Sequence, residues 1–226
     1  MPLTATLPPR TSSIPLLLGS SGIVATVGTG IAISASGAGP TALDTAWHDL
    51  MRSWRTAPGI AIATWMQSAG GVGVMVAVGL VLTAALLVMR RPRSALTLAV
   101  TMILTEGMTG VLKVLVARPR PADSLSDTAL TSFPSGHTAL AAATMVVLAL
   151  LLGRWFWGLA AVWVTAMAWS RTYLEAHWFS DVLAGAVLGT SVALLVWWGA
   201  KMIARRLGRP SARTFTTTYD VEPGRG

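Results

Sequence analysis

Long stretches of apolar and small residues divide this chain into segments of membrane length. Five of them contain no Asp, Glu, Lys or Arg, and they cover residues 11–43, 56–89, 128–153, 155–170 and 182–200. A further apolar stretch, 94–116, contains only two charged residues, Glu106 and Lys113. A helix needs about 20 apolar residues to cross a bilayer, so the pattern predicts six transmembrane helices.

The six predicted helices form an all-α fold, an integral membrane bundle. They lie near residues 14–36, 60–88, 94–116, 136–153, 155–173 and 180–200. We expect one transmembrane domain over residues 1–207 and a disordered cytoplasmic tail over 208–226, which is polar and rich in Thr. A competing interpretation of the first helix is a cleaved signal peptide, but its apolar run is long and rich in Gly and Ser to its end, which favours a span.

Composition agrees with a membrane protein and excludes other classes. Apolar residues make up 53% of the chain and charged residues only 12%, whereas soluble domains carry about 25% charge. The chain has no Cys, which excludes disulfides, thiol nucleophiles and cysteine zinc sites. The net charge of +8 could indicate a nucleic-acid binder, but most basic residues follow one predicted membrane boundary, so we expect no nucleic-acid partner.

The distribution of basic residues predicts the orientation. Eleven of the 17 Lys and Arg residues follow one predicted boundary. The other six are Arg52, Arg55, Lys113, Arg118, Arg120 and Arg171. Since the more basic side is normally cytoplasmic, we expect a multi-pass protein of the cell membrane with both termini in the cytoplasm.

Charged and polar side chains collect at the extracytoplasmic ends of the last four spans. They are Lys113, Arg120, Ser135, Gly136, His137, Arg171, His177 and Asp181. Charge at membrane depth is costly, so such residues are candidates for function. The three cations predict a site for a polyanion, and Arg suits phosphate because its paired donors match phosphate oxygens. The start of the fourth helix would add backbone N–H donors.

The two histidines of this group predict covalent phosphoryl transfer. His177 and Asp181 are four residues apart, so on one helical turn they would share a face. Asp181 could then hold one ring nitrogen and leave the other as a nucleophile. His137 would protonate the leaving oxygen as a general acid. We expect a phosphohistidine on His177, hydrolysed by water, with no metal and no cofactor. A metal site on His177 and Asp181 is an alternative, which the neighbouring cations disfavour.

These residues resemble the three-part motif of the type 2 phosphatidic acid phosphatase family, which is related to the vanadium haloperoxidases. The parts are Lys113 to Arg120-Pro121, Pro134-Ser135-Gly136-His137, and Ser170-Arg171 to His177 and Asp181. The resemblance implies phosphate binding by Lys113, Arg120, Ser135, Gly136 and Arg171, acid catalysis by His137, and attack by His177 supported by Asp181. It also implies lipid phosphates or pyrophosphates as substrates, cleaved at the outer membrane face.

Four further polar residues carry separate expectations. Glu175 stands where family members often have Gly, and it would face solvent, pair with Arg118 or Arg171, or contact a headgroup. We expect Arg118 to extend to the surface as a headgroup anchor. Glu106 is either buried, and then protonated or hydrogen-bonded to a neighbouring helix, or it orients the basic site or lines a channel for the lipid. His48 is expected to have a structural role in a short interfacial helix.

The expected function is that of a membrane lipid phosphatase acting on a polyprenyl pyrophosphate or phosphatidylglycerol phosphate type of substrate. Two alternatives use the same basic pocket. One is a lipid-linked phosphotransferase, in which a hydroxyl takes the phosphoryl group from His177. The other is a transporter or flippase that only binds lipid phosphate, although it would not need a His–Asp pair beside a second histidine. The sequence makes no prediction of the oligomeric state.

Overall fold

A computed structural model describes residues 12–126 and 130–207 of the chain. Those residues form eight α-helices and no β-strand. The helices are α1 (Ile14–Ala35), α2 (Ala42–Ser53), α3 (Ala57–Ala69), α4 (Val72–Val88), α5 (Pro92–Val116), α6 (Gly136–Leu152), α7 (Trp155–Tyr173) and α8 (Phe179–Leu207). The prediction of an all-α fold is confirmed, while the predicted tail at 208–226 lies outside the described residues.

Helices occur at all six predicted positions, but the number of spans is not confirmed as six. Three helices, α1, α5 and α8, are long and apolar enough to cross a membrane. The predicted span 60–88 is divided into α3 and α4, which meet at a 51° bend and count as a fourth span only if taken together. The bend falls at Gly70-Gly71, and a Cβ atom at Gly70 would lie 2.3 Å from Cε of Met167 in α7. At 17 residues, α6 is shorter than the length that ordinarily spans a bilayer.

α8 is the central helix, and two glycines allow it to approach α6 closely. A Cβ atom at Gly185 would lie 2.5 Å from the carbonyl oxygen of Ser135, and one at Gly189 would lie 2.1 Å from that of Ala139. The two glycines are four residues apart and therefore lie on one face of α8. Small residues of this spacing let helix backbones pack directly in membrane proteins. The contact at Gly185 also places the start of α6 beside the start of α8.

The polar residues lie together at one end of the bundle. The first residues of α6 and α8 meet there, because the amide of Ser135 donates to the carbonyl of Asp181 at 3.0 Å. The loop between α5 and α6 is fixed at the same end, where the amide of Ser132 donates to the carbonyl of Arg118 at 2.8 Å. α2 lies against this end as well, in the region where the sequence predicts a short helix.

The close contact of α6 and α8 gives a stability prediction. Gly189→Ala should lower the free energy of unfolding by about 1–3 kcal/mol, since the added methyl overlaps the backbone of Ala139. Gly199→Ala in the same helix is the control, because a Cβ there meets no atom within 4 Å and Ala favours helix over Gly. Thermal unfolding in detergent measures both. Equal stability of the two variants would contradict the packing described above.

Candidate active site

His177 lies in the short turn between α7 and α8, with its side chain enclosed by protein. It is 3% exposed. Its backbone amide donates to the carbonyl of Arg171 at 3.3 Å. Nε2 of the ring lies 3.1 Å from Nη1 of Arg120, and Nδ1 lies 3.6 Å from Oδ2 of Asp181. The ring therefore has one nitrogen directed toward a cation and the other toward a carboxylate.

The surroundings of His177 favour its neutral form. Burial lowers the pKa of His177 well below its ordinary value, and the positive charges of Arg171, Arg120, Lys113 and His137 lower the pKa further. A neutral imidazole has a lone pair on one ring nitrogen, which is what a nucleophile requires. Four of the residues predicted from the sequence thus act electrostatically on a fifth.

The three predicted phosphate-binding cations are held by defined partners. Nη1 of Arg171 donates to the side-chain oxygen of Gln67 in α3, and Arg171 itself is completely buried. Nζ of Lys113 donates to the carbonyl of Thr131 at 3.1 Å. Arg120 donates to the carbonyl of Ala176, next to His177 in the chain. Because these side chains are fixed in advance, binding an anion requires little reorganisation.

The start of α6 supplies the remaining predicted residues. Ser135 is buried and precedes the helix, with Gly136 and His137 as its first two residues. The hydroxyl of Ser135 forms a hydrogen bond with that of Thr138 at 3.1 Å. The first backbone N–H groups of a helix have no carbonyl partner within it, so they favour an anion. The structure brings all eight predicted site residues to one end of the bundle, and their roles stay predictions.

Arg118 is not the surface headgroup anchor that we expected. Its side chain is completely buried, and its guanidinium donates to Asp181 Oδ1 and Asp44 Oδ2, each at 2.7 Å. The same group donates to the hydroxyl of Ser180 at 2.7 Å and to the carbonyl of Gly39 at 3.0 Å. If Arg118 extended to a headgroup instead, Asp44 and Asp181 would be buried without a counter-charge. That would destabilise the fold more than burying the arginine does.

Asp44 was missed as a residue connected to the site. Its carboxylate accepts from the amide of Thr41 at 2.9 Å and from the amide of Ser180 at 2.8 Å. The amide of Asp44 in turn donates to the hydroxyl of Thr41, which completes a capping box at the start of α2. The Thr-x-x-Asp spacing was the available signal. It identifies a helix start, but it gives no indication of a contact with Arg118.

Glu175 is completely buried rather than solvent-facing, and it pairs with Arg55. Its backbone φ is +55°, in the left-handed region that favours glycine. Burial raises the pKa of Glu175, and the adjacent Asp123 raises that pKa further. The expected pairing of Glu175 with Arg118 or Arg171 is not observed, because its partner is Arg55.

One group of described residues has ligand atoms close enough together to hold a metal ion. His48, Asp123 and Glu175 each offer one such atom, all within 4.8 Å of one another. Arg55 already pairs with Glu175, and Nη1 of Arg52 lies 3.6 Å from Oδ2 of Asp123. A divalent cation would have to compete with these two guanidinium groups, so the donor set does not fit it well.

Glu106 is not the buried residue that one of the expectations describes. It lies within α5 and is exposed on the surface of the helix rather than buried. The buried residues of α5 at this level are Thr105 and Thr109, so Glu106 points away from the side that packs on the bundle. A single charge in an apolar run shows that a residue is unusual, but it does not show which way the residue faces.

Comparison with known proteins relates the chain to a group of membrane phosphatases. Residues 94–205 match the model of the PAP2 superfamily. The chain is 31% identical over 121 residues to an undecaprenyl-diphosphatase of Sulfolobus acidocaldarius, covering 50% of this chain and 59% of that protein. It is 38% identical over 110 residues to a lipid A 1-phosphatase of Porphyromonas gingivalis, covering 47% of this chain and 24% of that protein. The chain thus spans less than two thirds of either relative.

Two solved structures share the fold at low identity. A transmembrane PAP2 type phosphatidylglycerolphosphate phosphatase from Bacillus subtilis has a TM-score of 0.70 and 22% identity, covering 85% of this chain and 98% of that one. LpxE of Aquifex aeolicus has a TM-score of 0.63 and 22% identity, covering 70% of this chain and 96% of that one. At this identity the likeness shows the helical architecture and nothing about substrates.

The buried pair of Arg55 and Glu175 gives a second stability prediction. Arg55→Gln should cost about 3–5 kcal/mol of folding free energy, since it leaves a buried carboxylate without its counter-charge. Arg52→Gln is the matched control and should cost less than about 1 kcal/mol, because the Arg52 side chain is 65% exposed. The double variant Arg55→Gln, Glu175→Gln should recover most of the loss. Thermal unfolding measures all three, and similar losses for both single variants would contradict the pairing.

Proposed function

The chain belongs to the PAP2 superfamily, and from this premise we propose that it is an integral membrane phosphatase that hydrolyses a lipid phosphate or pyrophosphate. The observation that carries the proposal is the setting of His177. Its Nε2 is beside Arg120 and its Nδ1 is toward Asp181, and three further positive groups act on the ring. A lipid phosphate transporter would have no use for a neutral imidazole placed among cations.

In the first step, Nε2 of His177 attacks the phosphorus atom of the substrate. A P–N bond forms, the P–O bond to the lipid alcohol or lipid phosphate breaks, and His137 gives a proton to the departing oxygen. Negative charge spreads over the phosphoryl oxygens in the transition state, and Lys113, Arg120 and Arg171 stabilise it. Asp181 remains ionised, faces the Nδ1–H group of the His177 ring, and stabilises the positive charge that develops on that ring.

In the second step, water hydrolyses the phosphohistidine. The P–N bond breaks, inorganic phosphate forms, and His137, now lacking its proton, takes one from the attacking water. His177 returns to its neutral form. The chain's own cations supply the charge stabilisation, and the reaction requires neither a metal nor a cofactor. A phosphotransferase would follow the same path with an alcohol in place of water.

An apolar cavity beside the site suits the lipid part of such a substrate. It has a volume of about 320 Å³ and lies between α2, α7 and α8, with Trp47, Trp169 and Phe179 in its lining. Phe179 is two residues from His177 in the chain and its ring lies 4.6 Å from that of Trp47. A larger cavity of about 420 Å³ is lined by Arg93 and by residues from the far end of α8, away from the histidines.

The comparisons favour a pyrophosphate or monophosphate on a large lipid. The two relatives matched by sequence are named for undecaprenyl diphosphate and for the 1-phosphate of lipid A. We propose a polyprenyl pyrophosphate or phosphatidylglycerol phosphate type of substrate, and the first of these has a counterpart among the two relatives. From the distribution of basic residues we infer an active site at the extracytoplasmic face of the cell membrane, with both termini in the cytoplasm.

Trapping the covalent intermediate tests the proposed mechanism. Wild-type protein in detergent should release phosphate from one of these lipids and carry acid-labile, base-stable label after a brief reaction with radiolabelled substrate. His177→Gln should lose both, by about a thousandfold or more, and His137→Gln should slow turnover by about 10²–10⁴-fold. His48→Gln, which changes the third histidine of the chain, is the control and should keep full activity.

Two results would contradict the proposal. Labelled, active His177→Gln protein would refute the assignment of His177 as the nucleophile. Transfer to added alcohols in preference to water would favour the phosphotransferase.

Treatment with a chelator tests metal independence. Activity should stay within about twofold of the untreated protein after extensive dialysis against EDTA, because Lys113, Arg120 and Arg171 stabilise the transferred phosphoryl group. His48→Gln gives the matched comparison, since it removes one of the three ligand atoms that could hold a metal. Loss of activity in EDTA, restored by a divalent ion in the wild type but not in this variant, would indicate a metal requirement.

A further inference from the structure

A buried cluster of three charged side chains lies behind the proposed nucleophile. Arg118 is at its centre, with Asp44 of α2 on one side and Asp181 of α8 on the other, each at 2.7 Å. None of the three side chains has measurable exposure. Ser180 ties the two ends together, because its amide donates to Oδ1 of Asp44 and its hydroxyl to Oδ2 of Asp44.

The net charge of this cluster depends on Asp44. Two carboxylates and one guanidinium leave one negative charge. Although burial raises the pKa of Asp44, hydrogen bonds from Ser180, Thr41 and Arg118 hold that pKa below its usual range, so Asp44 is ionised at neutral pH. Without Asp44, the positive charge of Arg118 would cancel the negative charge of Asp181. With Asp44 present, the carboxylate of Asp44 balances Arg118, and the cluster keeps one negative charge.

Asp181 is the member of the cluster that lies next to the imidazole of His177. Arg118 occupies Oδ1 of Asp181, and the amide of Trp178 donates to Oδ2 at 2.9 Å. These two contacts fix the plane of the carboxylate so that Oδ2 lies 3.6 Å from Nδ1 of His177. The other charged groups around the ring are Arg171 of α7, Arg120 of the loop, Lys113 of α5 and His137 of α6, all positive when charged. The net negative charge of the cluster therefore counteracts the effect of these four positive groups on the His177 ring.

We propose that Asp44 and Arg118 are positioning residues for the reaction at His177. Arg118 orients the Asp181 carboxylate, and Asp44 neutralises Arg118 so that Asp181 keeps a negative charge to stabilise the imidazolium-like ring during attack. The proposal rests on the proposed function. It adds α2, which lies outside the three motifs and outside residues 94–205, to the working parts of the enzyme.

Charge-changing substitutions on the two sides of the cluster should have opposite effects. Asp44→Asn removes a negative charge, which makes protonated His177 less stable and lowers its pKa, so the acid limb of kcat/KM should move to lower pH. Arg118→Gln removes a positive charge and should move the same limb to higher pH. Each shift should be about one pH unit. The double variant restores the net charge, and its limb should return close to that of the wild type.

The kinetic constants separate positioning from substrate binding. In Asp44→Asn, kcat should fall about 10–100-fold, as when a partner behind a functional histidine is removed, while KM stays within about threefold. Asp49→Asn, in the same helix but exposed, is the control and should match the wild type. Arg118→Lys keeps the charge but loses the forked geometry, so it should lower kcat without moving the acid limb.

A substrate-free measurement distinguishes failure of this inference from failure of the proposed function. Only three histidines occur in the chain, so NMR titration of protein with isotope-labelled histidine gives the pKa of His177 directly, assigned with His177→Gln. Opposite shifts in Asp44→Asn and Arg118→Gln support the inference even if no lipid phosphate is hydrolysed. If Arg118→Gln does not fold, an unchanged His177 pKa in folded Asp44→Asn protein overturns it. Shifts of the same sign in both variants, or an Asp44→Asn enzyme with wild-type kcat, overturn it as well.

Discussion

The guanidinium group of Arg118 is the point at which four segments of the chain are joined. It contacts Gly39 before α2, Asp44 within α2, and Ser180 and Asp181 at the start of α8. A charge enclosed by protein is several kcal/mol less stable than in water unless its partners compensate. All four contacts must therefore form together, and they fix the ends of the helices relative to each other at the end of the bundle where His177 lies.

The same constraint applies to a second buried arginine of the site. Arg171, like Arg118, is completely buried, and Gln67 of α3 and Ser126 of the α5–α6 loop bind its guanidinium. Each arginine takes its partners from segments distant in sequence, so neither can move without breaking contacts in two or more elements. An array of cations held in this way repels itself strongly and gains from an anion that enters it. Under the proposed function, a bound phosphate would relieve the repulsion among these cations.

The sequence was sufficient for an all-helical fold and for the convergence of the motif residues, and insufficient for the contacts that support them. The motif residues lie at or just beyond the ends of helices that apolar runs define, so their spacing predicts one common end of the bundle; they are Lys113, Arg120, His137, Arg171, His177 and Asp181. Arg118 also follows a predicted span, and no feature of the neighbouring sequence distinguishes a buried arginine from one that reaches a lipid headgroup. Its environment depends on Asp44, 74 residues away, and spacing and hydropathy do not reveal which distant carboxylate contacts which guanidinium. The division of 60–88 at Gly70-Gly71 and the outward direction of Glu106 were missed for a related reason, because both depend on packing between helices.

The segment containing α2 is fixed near both of its ends. Asp44 binds Arg118 close to the start of α2, and Arg55, just beyond its last residue, binds Glu175 in the turn that carries His177. To swing away from the site, the segment would have to expose or strand two buried carboxylates, at a cost of about 3–5 kcal/mol for each broken pair. Glu175 has a left-handed backbone conformation, in which glycine would be less strained. The ion pair of Glu175 with Arg55 offsets this strain. The two ion pairs therefore hold α2 against the site from both ends.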